Sequence, residues 1–226
     1  MKIFKHILLF AFVIITINFA TTAIMAQIIV DDPPRNGHVA GNSPNIDGTF
    51  SSFSELYHSG TTTEGYSIII NTNIGTSQLY YNVYGAAIEY AGSELVSANR
   101  NSVTVNLGNM SSVYGGYAFN SVGEASALDN SVTVNSGYIQ NEVFAGYAVS
   151  NGQTTALASR NSLTFNSGQA IFLASGLAYI PNGSATASEN TLTINADTID
   201  SVSGGYAYGG TSATALENTL TINADA

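Results

Sequence analysis

Almost the same six residues, Asn-[Ser/Thr]-[Val/Leu]-Thr-[Val/Ile/Phe]-Asn, are written five times in this chain, beginning at Asn101, Asn130, Asn161, Asn190 and Asn218. The steps between them are 29, 31, 29 and 28 residues. A period in this range marks a stacked repeat, because a unit so short cannot bury an apolar face alone and must cover it with its neighbour. The period constrains architecture closely and activity weakly, since a solenoid is a scaffold on which many functions are carried.

Within each block the residues alternate with period two, which sends side chains to opposite faces of a strand. Val103 and Val105, Val132 and Val134, Leu163 and Phe165, Leu192 and Ile194, and Leu220 and Ile222 make the expected core face. Ser102 and Thr104, with their counterparts in the other blocks, make the face expected in water. Before each block stands a small-residue piece, from Val96 and Ala98 in the first unit to Ala213 and Ala215 in the last. A third piece comes after the block, Val113-Tyr114-Gly115-Gly116-Tyr117-Ala118, echoed from Val143 to Ala148 and from Val202 to Ala207. Ile171-Phe172-Leu173-Ala174 is its looser form in the unit between, while Ile68 to Asn71 and Val83 to Gly85 read as a degenerate first turn.

Three short strands and three corners in about 29 residues predict an all-β chain folded as a parallel β-helix, a β-solenoid with rungs about 4.8 Å apart. The drift in unit length calls for corners that absorb insertions, which sets aside a strict hexapeptide helix. A propeller blade needs four strands in about 40 residues, and a leucine-rich repeat needs framework leucines where Ala, Gly and Tyr stand here. The handedness of the coil stays open at this point.

The corners carry the recurring polar residues. Asn101, Asn130, Asn161, Asn190 and Asn218 are expected to stack and hydrogen-bond along the axis, a structural ladder that needs no ligand. The residue before each of them is charged, Arg100, Asp129, Arg160, Glu189 and Glu217, and in register the first four alternate in sign. Such a charge ladder would help order the rungs, each exposed step contributing up to about 1 kcal/mol. Two residues past each block stand Gly108, Gly137, Gly168, Asp197 and Asp225, a set that one left-handed corner would explain.

Residues 1–26 have the order of a secretory signal peptide: Lys2, Lys5 and His6, an apolar run from Ile7 to Ala20, and a small-residue stretch ending at Ala26. The apolar run is nearly long enough to span a bilayer, and the small residues after it favour cleavage over retention. Residues 27–65 read as a leader and N-terminal cap, and 66–226 as solenoid repeats left incomplete at the C-terminus. Beyond the signal only Arg35, Arg100 and Arg160 face all fifteen acids, a net charge of −12. That balance repels phosphate backbones, so no nucleic-acid partner is expected. Cysteine is absent, so no disulfide framework holds the fold.

Parallel β-helices can also be polysaccharide lyases or hydrolases, which need carboxylates close together. The candidates are Asp129, Asp197 and Asp200, with Arg160 the nearest base; as turn and surface residues they are expected to be structural, so no catalytic residue is assigned. His38 and His58 precede the repeats, and nothing positions a Ser-His-Asp triad. Glu189 over Glu217 and Asp197 over Asp225 could offer calcium paired carboxylates, but loose acidic pairs are mostly solvated, and no metal or cofactor is expected. Thr191 with Thr193 and Thr219 with Thr221 have the form of an ice-binding face, a remote alternative because Thr is favoured on exposed strands anyway and three of the five rungs carry Ser.

Ala-x-Ala-x-x-Asn-[Ser/Thr]-[Val/Leu]-Thr-[Val/Ile/Phe]-Asn followed by Val-Tyr-Gly-Gly-Tyr-Ala resembles the repeats in passenger regions of autotransporter-type adhesins of Gram-negative bacteria. The resemblance covers about residues 83–226. It implies export, display at the outer-membrane surface, an adhesive or stalk role toward a host or cell-surface glycan or protein, and a C-terminal β-barrel translocator. Because the chain stops within a repeat, the remaining turns and that barrel are expected beyond Ala226. The runner-up expectation is a polysaccharide-degrading β-helix.

Overall fold

The computed structural model describes residues 27–30, 39–40, 61–71, 75–76, 79–80, 82–195 and 198–223. Residues 1–26, expected from the sequence to be a signal peptide, and His38, His58, Asp197 and Asp225 lie outside the described residues. All regular structure among them is β, and the chain coils into a parallel solenoid of about five turns with three strands per turn. No helix among the described residues is long and apolar enough to cross a membrane.

The Asn blocks form one seven-stranded sheet, in the order Gln27–Val30, Ser67–Ile70, Ser102–Val105, Ser131–Val134, Ser162–Phe165, Thr191–Ile194 and Thr219–Ile222. This is the Asn sheet. The small-residue pieces form a six-stranded alanine sheet running from Thr62–Glu64 to Ser212–Leu216. The third pieces, Val83–Tyr90, Val113–Asn120, Glu142–Ser150 and Gln169–Ile180, form the body of a nine-stranded aromatic sheet. Pairing is parallel and in register from rung to rung, with Val103 beside Val132, Val132 beside Leu163 and Leu163 beside Leu192. The degenerate first turn takes its expected place, Ile68 beside Val103 and Val83 beside Val113.

Alternation in the Asn block fixes the core as the sequence requires: Val103, Val105, Val132, Val134, Leu163, Phe165, Leu192 and Ile194 are at most 2 % exposed. Their opposite neighbours are less wet than expected. Thr104, Thr133, Thr164 and Thr193 are half-buried, because flanking rungs shield each side chain on a parallel sheet. On the last rung Leu220 and Ile222 are exposed, having no rung above them among the described residues.

The interior is divided in two. One lobe gathers the Val, Leu, Ile and Phe side chains of the Asn sheet with Val113, Val143 and Leu173 of the aromatic sheet. The other packs the alanines of the alanine sheet against Ala118, Ala148 and Ala178. Between them the aromatic sheet presses on the Asn corner, and glycine is what lets it come so close. A Cβ placed on Gly116, Gly146 or Gly176 would lie 2.4 to 2.5 Å from the side chain of Asn130, Asn161 or Asn190. Gly116 is therefore explained by this waist, whereas a Cβ on Gly115 would meet the Ala145 carbonyl oxygen of the next rung at 2.4 Å.

Candidate functional site

The waist is built on a conformation the sequence did not disclose. Arg100, Asp129, Arg160, Glu189 and Glu217 all have φ between 54° and 57°, the left-handed αL well, and Gly65 continues the series with φ 75°. One αL residue between two extended strands turns the chain sharply and leaves the next side chain, the ladder Asn, pointing inward. Non-glycine residues enter αL at a cost of about 1–2 kcal/mol, so the corner is held by the bonds that the ladder Asn makes.

Those bonds build a buried amide column. Nδ2 of Asn101, Asn130, Asn161 and Asn190 donates to Oδ1 of the next Asn at 3.1, 3.1, 3.0 and 2.9 Å. The same Oδ1 atoms accept the backbone N–H of the preceding Asn at 2.9 to 3.0 Å. The second Nδ2 hydrogen of Asn130, Asn161, Asn190 and Asn218 goes to the carbonyl of Ala98, Ala127, Ala158 or Ala187. Both donors and both lone pairs of a mid-stack amide are thus satisfied, which is what burial demands.

A second column runs on the outside. Nδ2 of Asn106, Asn135, Asn166, Asn195 and Asn223 donates to Oδ1 of Asn71, Asn106, Asn135, Asn166 and Asn195 at 2.7 to 2.9 Å. Its donors point toward the N-terminal rung, whereas those of the buried column point toward the C-terminal one.

The charged corner residues are exposed, and three of them, Arg100, Asp129 and Arg160, are held in close ion pairs. Arg160 holds Asp129 through two bonds, Nε to Oδ1 at 2.8 Å and Nη2 to Oδ2 at 2.9 Å, which raise the guanidinium pKa above its ordinary value. Arg100 pairs with Glu64 of the preceding rung. Glu189 and Glu217 occupy the same corner on the last two rungs.

The glycine corner differs from the expectation in one respect. Gly108, Gly137 and Gly168 have φ of 140°, 159° and 119°, far from the αL well that Asp tolerates. Close stacking adds a second reason for glycine, since a Cβ on Gly168 would lie 2.0 Å from the carbonyl oxygen of Gly137.

Sequence alone left open whether Tyr114, Phe144 and Phe172 face the interior. With Val113 in the core and Gly116 turned to the corner, Tyr114 and Tyr117 project from the outer side of the bent wall. There they fill the crook as a third cluster, Tyr84, Tyr114 and Phe144 nearly enclosed and Tyr117, Tyr147 and Phe172 half-buried. Two columns stack along the axis, Tyr84 on Tyr114 with ring centroids 4.9 Å apart and Tyr117 on Tyr147 at 5.2 Å. They meet edge to face, Tyr114 to Tyr117 at 5.6 Å. The Tyr114 hydroxyl donates to Glu142 Oε1 at 2.5 Å. Burial first, then that bond, pushes the Tyr114 pKa far above the usual tyrosine value; burial does the same to Tyr84, Tyr117 and Tyr147.

Beside this cluster a cleft of about 410 Å³ is lined by Asn82, Ser111, Tyr114, Asn141, Glu142 and Phe172, among others. A second, of about 200 Å³, includes Tyr138, Gln140, Gln169 and Asp200 and shares Ile171 with the first. The carboxylate candidates are not brought together: Asp129 sits at the corner joining the alanine and Asn sheets, and Asp200 on the outer face of the aromatic sheet. No protein-family model, curated protein or solved structure matches this chain.

Proposed function

We propose that this chain is a secreted, surface-displayed β-solenoid that acts by adhesion or as a stalk and not by catalysis. The observation that carries the reading is the use made of its recurring polar residues. Both Asn columns run rung to rung along the described stack, so these side chains stabilise a rod and remain unavailable for chemistry. A rod of parallel rungs, each hydrogen-bonded to the next, suits a role in which length and stiffness present a surface away from a cell.

The repeat resemblance supports a more specific form of the same reading, an autotransporter-type passenger on the outer membrane of a Gram-negative bacterium, carried there by a β-barrel. The acidic surface fits a protein or glycan partner and not a nucleic acid.

Display of the chain on a non-adherent bacterium tests the role. Gain of attachment to cells or to immobilised glycans is the expected result. Incubation of the purified chain with pectic and other acidic glycans is the decisive counter-test: turnover abolished by Asp129→Asn or Asp200→Asn would replace the scaffold reading with a polysaccharide-degrading one.

A further inference from the structure

The two clefts that meet at Ile171 form a trough on the outer face of the aromatic sheet, following the direction in which the rungs stack. We propose that this trough binds a neutral, hydroxyl-rich oligosaccharide lying along the solenoid axis. The inference rests on the adhesive reading above and names the ligand class of that surface.

Successive rungs place different chemistry at the same spot. Ser112, Glu142 and Phe172 are equivalent, each preceding an inward Val or Leu that pairs across rungs; Ser112 is buried, so the trough passes from carboxylate to aromatic ring in one step of about 4.8 Å. Phe172 is half-buried against Phe144, and its remaining surface with the exposed Ile171 offers an apolar platform for the C–H face of a sugar ring.

Hydrogen-bonding groups surround that platform. Tyr114 occupies one oxygen of Glu142 and orients the carboxylate, which leaves the second oxygen as an acceptor for sugar hydroxyls. Asn141 donates once to Ser111 Oγ at 2.9 Å, and its amide keeps a further hydrogen and its carbonyl oxygen. Gln140 and Gln169 line the adjoining cleft with two more amides. An amide presents donor and acceptor side by side, the pattern that adjacent hydroxyls match.

Charge and shape exclude the rivals. No lysine or arginine lines either cleft, and Glu142 and Asp200 repel uronates, sialates and sulfated sugars. A quaternary ammonium is held by several ring faces at once, and with the faces of Tyr114 covered by Tyr84 at 4.9 Å and Phe144 at 5.8 Å the first cleft keeps only Phe172, one face and no cage.

The test is calorimetric titration of the purified full chain with uncharged hexasaccharides of glucose, mannose, galactose and N-acetylglucosamine, run beside oligogalacturonate and choline. At least one neutral hexasaccharide is expected to bind, and Glu142→Ala and Gln169→Ala are each expected to weaken it about tenfold, the loss typical of a hydrogen bond in a binding site. Thr133→Ala, on the outer face of the Asn sheet, should leave binding unchanged. Gln169 is exposed, so its variant decides the matter if Glu142→Ala disturbs the fold by stranding Tyr114. No binding of any neutral sugar, undiminished binding by both variants, or preference for oligogalacturonate or choline would overturn the proposal. Attachment in the display assay without sugar binding would sink this inference alone; sugar binding without attachment would sink the adhesive reading alone.

Discussion

Asn161 donates from Nδ2 to Asn190 Oδ1 at 3.0 Å while its own Oδ1 accepts both the backbone N–H and the Nδ2 of Asn130, at 2.9 and 3.1 Å. Through this one relationship the corner, the waist and the stacking of rungs become a single device. The αL residue turns the Asn inward, the opposing glycine makes room for it, and the amide ties three rungs together.

Room at the waist is tight in mid-stack. A Cβ on Gly146 would stand 2.4 Å from the Asn161 side chain, so Gly146→Ala should cost about 1–3 kcal/mol by forcing the wall or the ladder to move. Ala86 holds the equivalent place on the first turn, where the stack has fewer rungs to keep in step. Urea unfolding of the variant checks this, and an unchanged midpoint would show that the wall yields freely.

The αL corners predict stabilisation by glycine. Glu189→Gly removes a side chain from φ 56°; the repulsion relieved at Glu217 is offset by the attraction to Arg160 given up, so the backbone relief should raise stability by about 0.5–1 kcal/mol. Arg160→Gly gains the same backbone relief but loses the exposed pair with Asp129, itself about 0–1 kcal/mol, and should come out near neutral. Thermal melts of the two variants side by side give the comparison.

Alkaline pH should unfold this protein through its aromatic crook. Tyr84, Tyr114, Tyr117 and Tyr147 all have pKa values raised in the fold, chiefly by burial. In the unfolded chain tyrosines ionise near pH 10, so above that the unfolded state binds fewer protons and stability falls with rising pH, by up to about 1.4 kcal/mol per unit for each such group. Below pH 10 the contribution is fully present. Urea midpoints should therefore be level in this respect through neutrality and drop steeply above about pH 10, less steeply in Tyr147→Phe.

Much of this was legible in the period. Two-residue alternation placed Val103, Leu163 and Ile194 in the core because a half-buried strand leaves them one choice of face. It could not reveal the αL corner, since Arg, Asp and Glu are ordinary surface residues and their shared φ is set by the Asn next in the chain. Nor could it place Tyr114 and Phe144: the bend at Gly115-Gly116 interrupts the alternation, and a cluster outside the coil buries its own rings much as a core would. The trough needed the fold, because Asn82, Glu142 and Phe172 come from three different turns.

Buried amide bonds between rungs hold the solenoid together, and a pair of substitutions at the two ends of the Asn strands measures their contribution. Asn161→Ala leaves the Asn130 N–H and Nδ2 without their acceptor in the buried column, and should lower unfolding free energy by about 2–4 kcal/mol. Asn135→Ala removes the same side chain from the exposed column, where water replaces it, and should cost under about 1 kcal/mol. Urea denaturation of the two variants against the parent is the measurement. A large loss for Asn161→Ala with a small one for Asn135→Ala is the predicted result, and equal losses, or a stable Asn161→Ala, would contradict it.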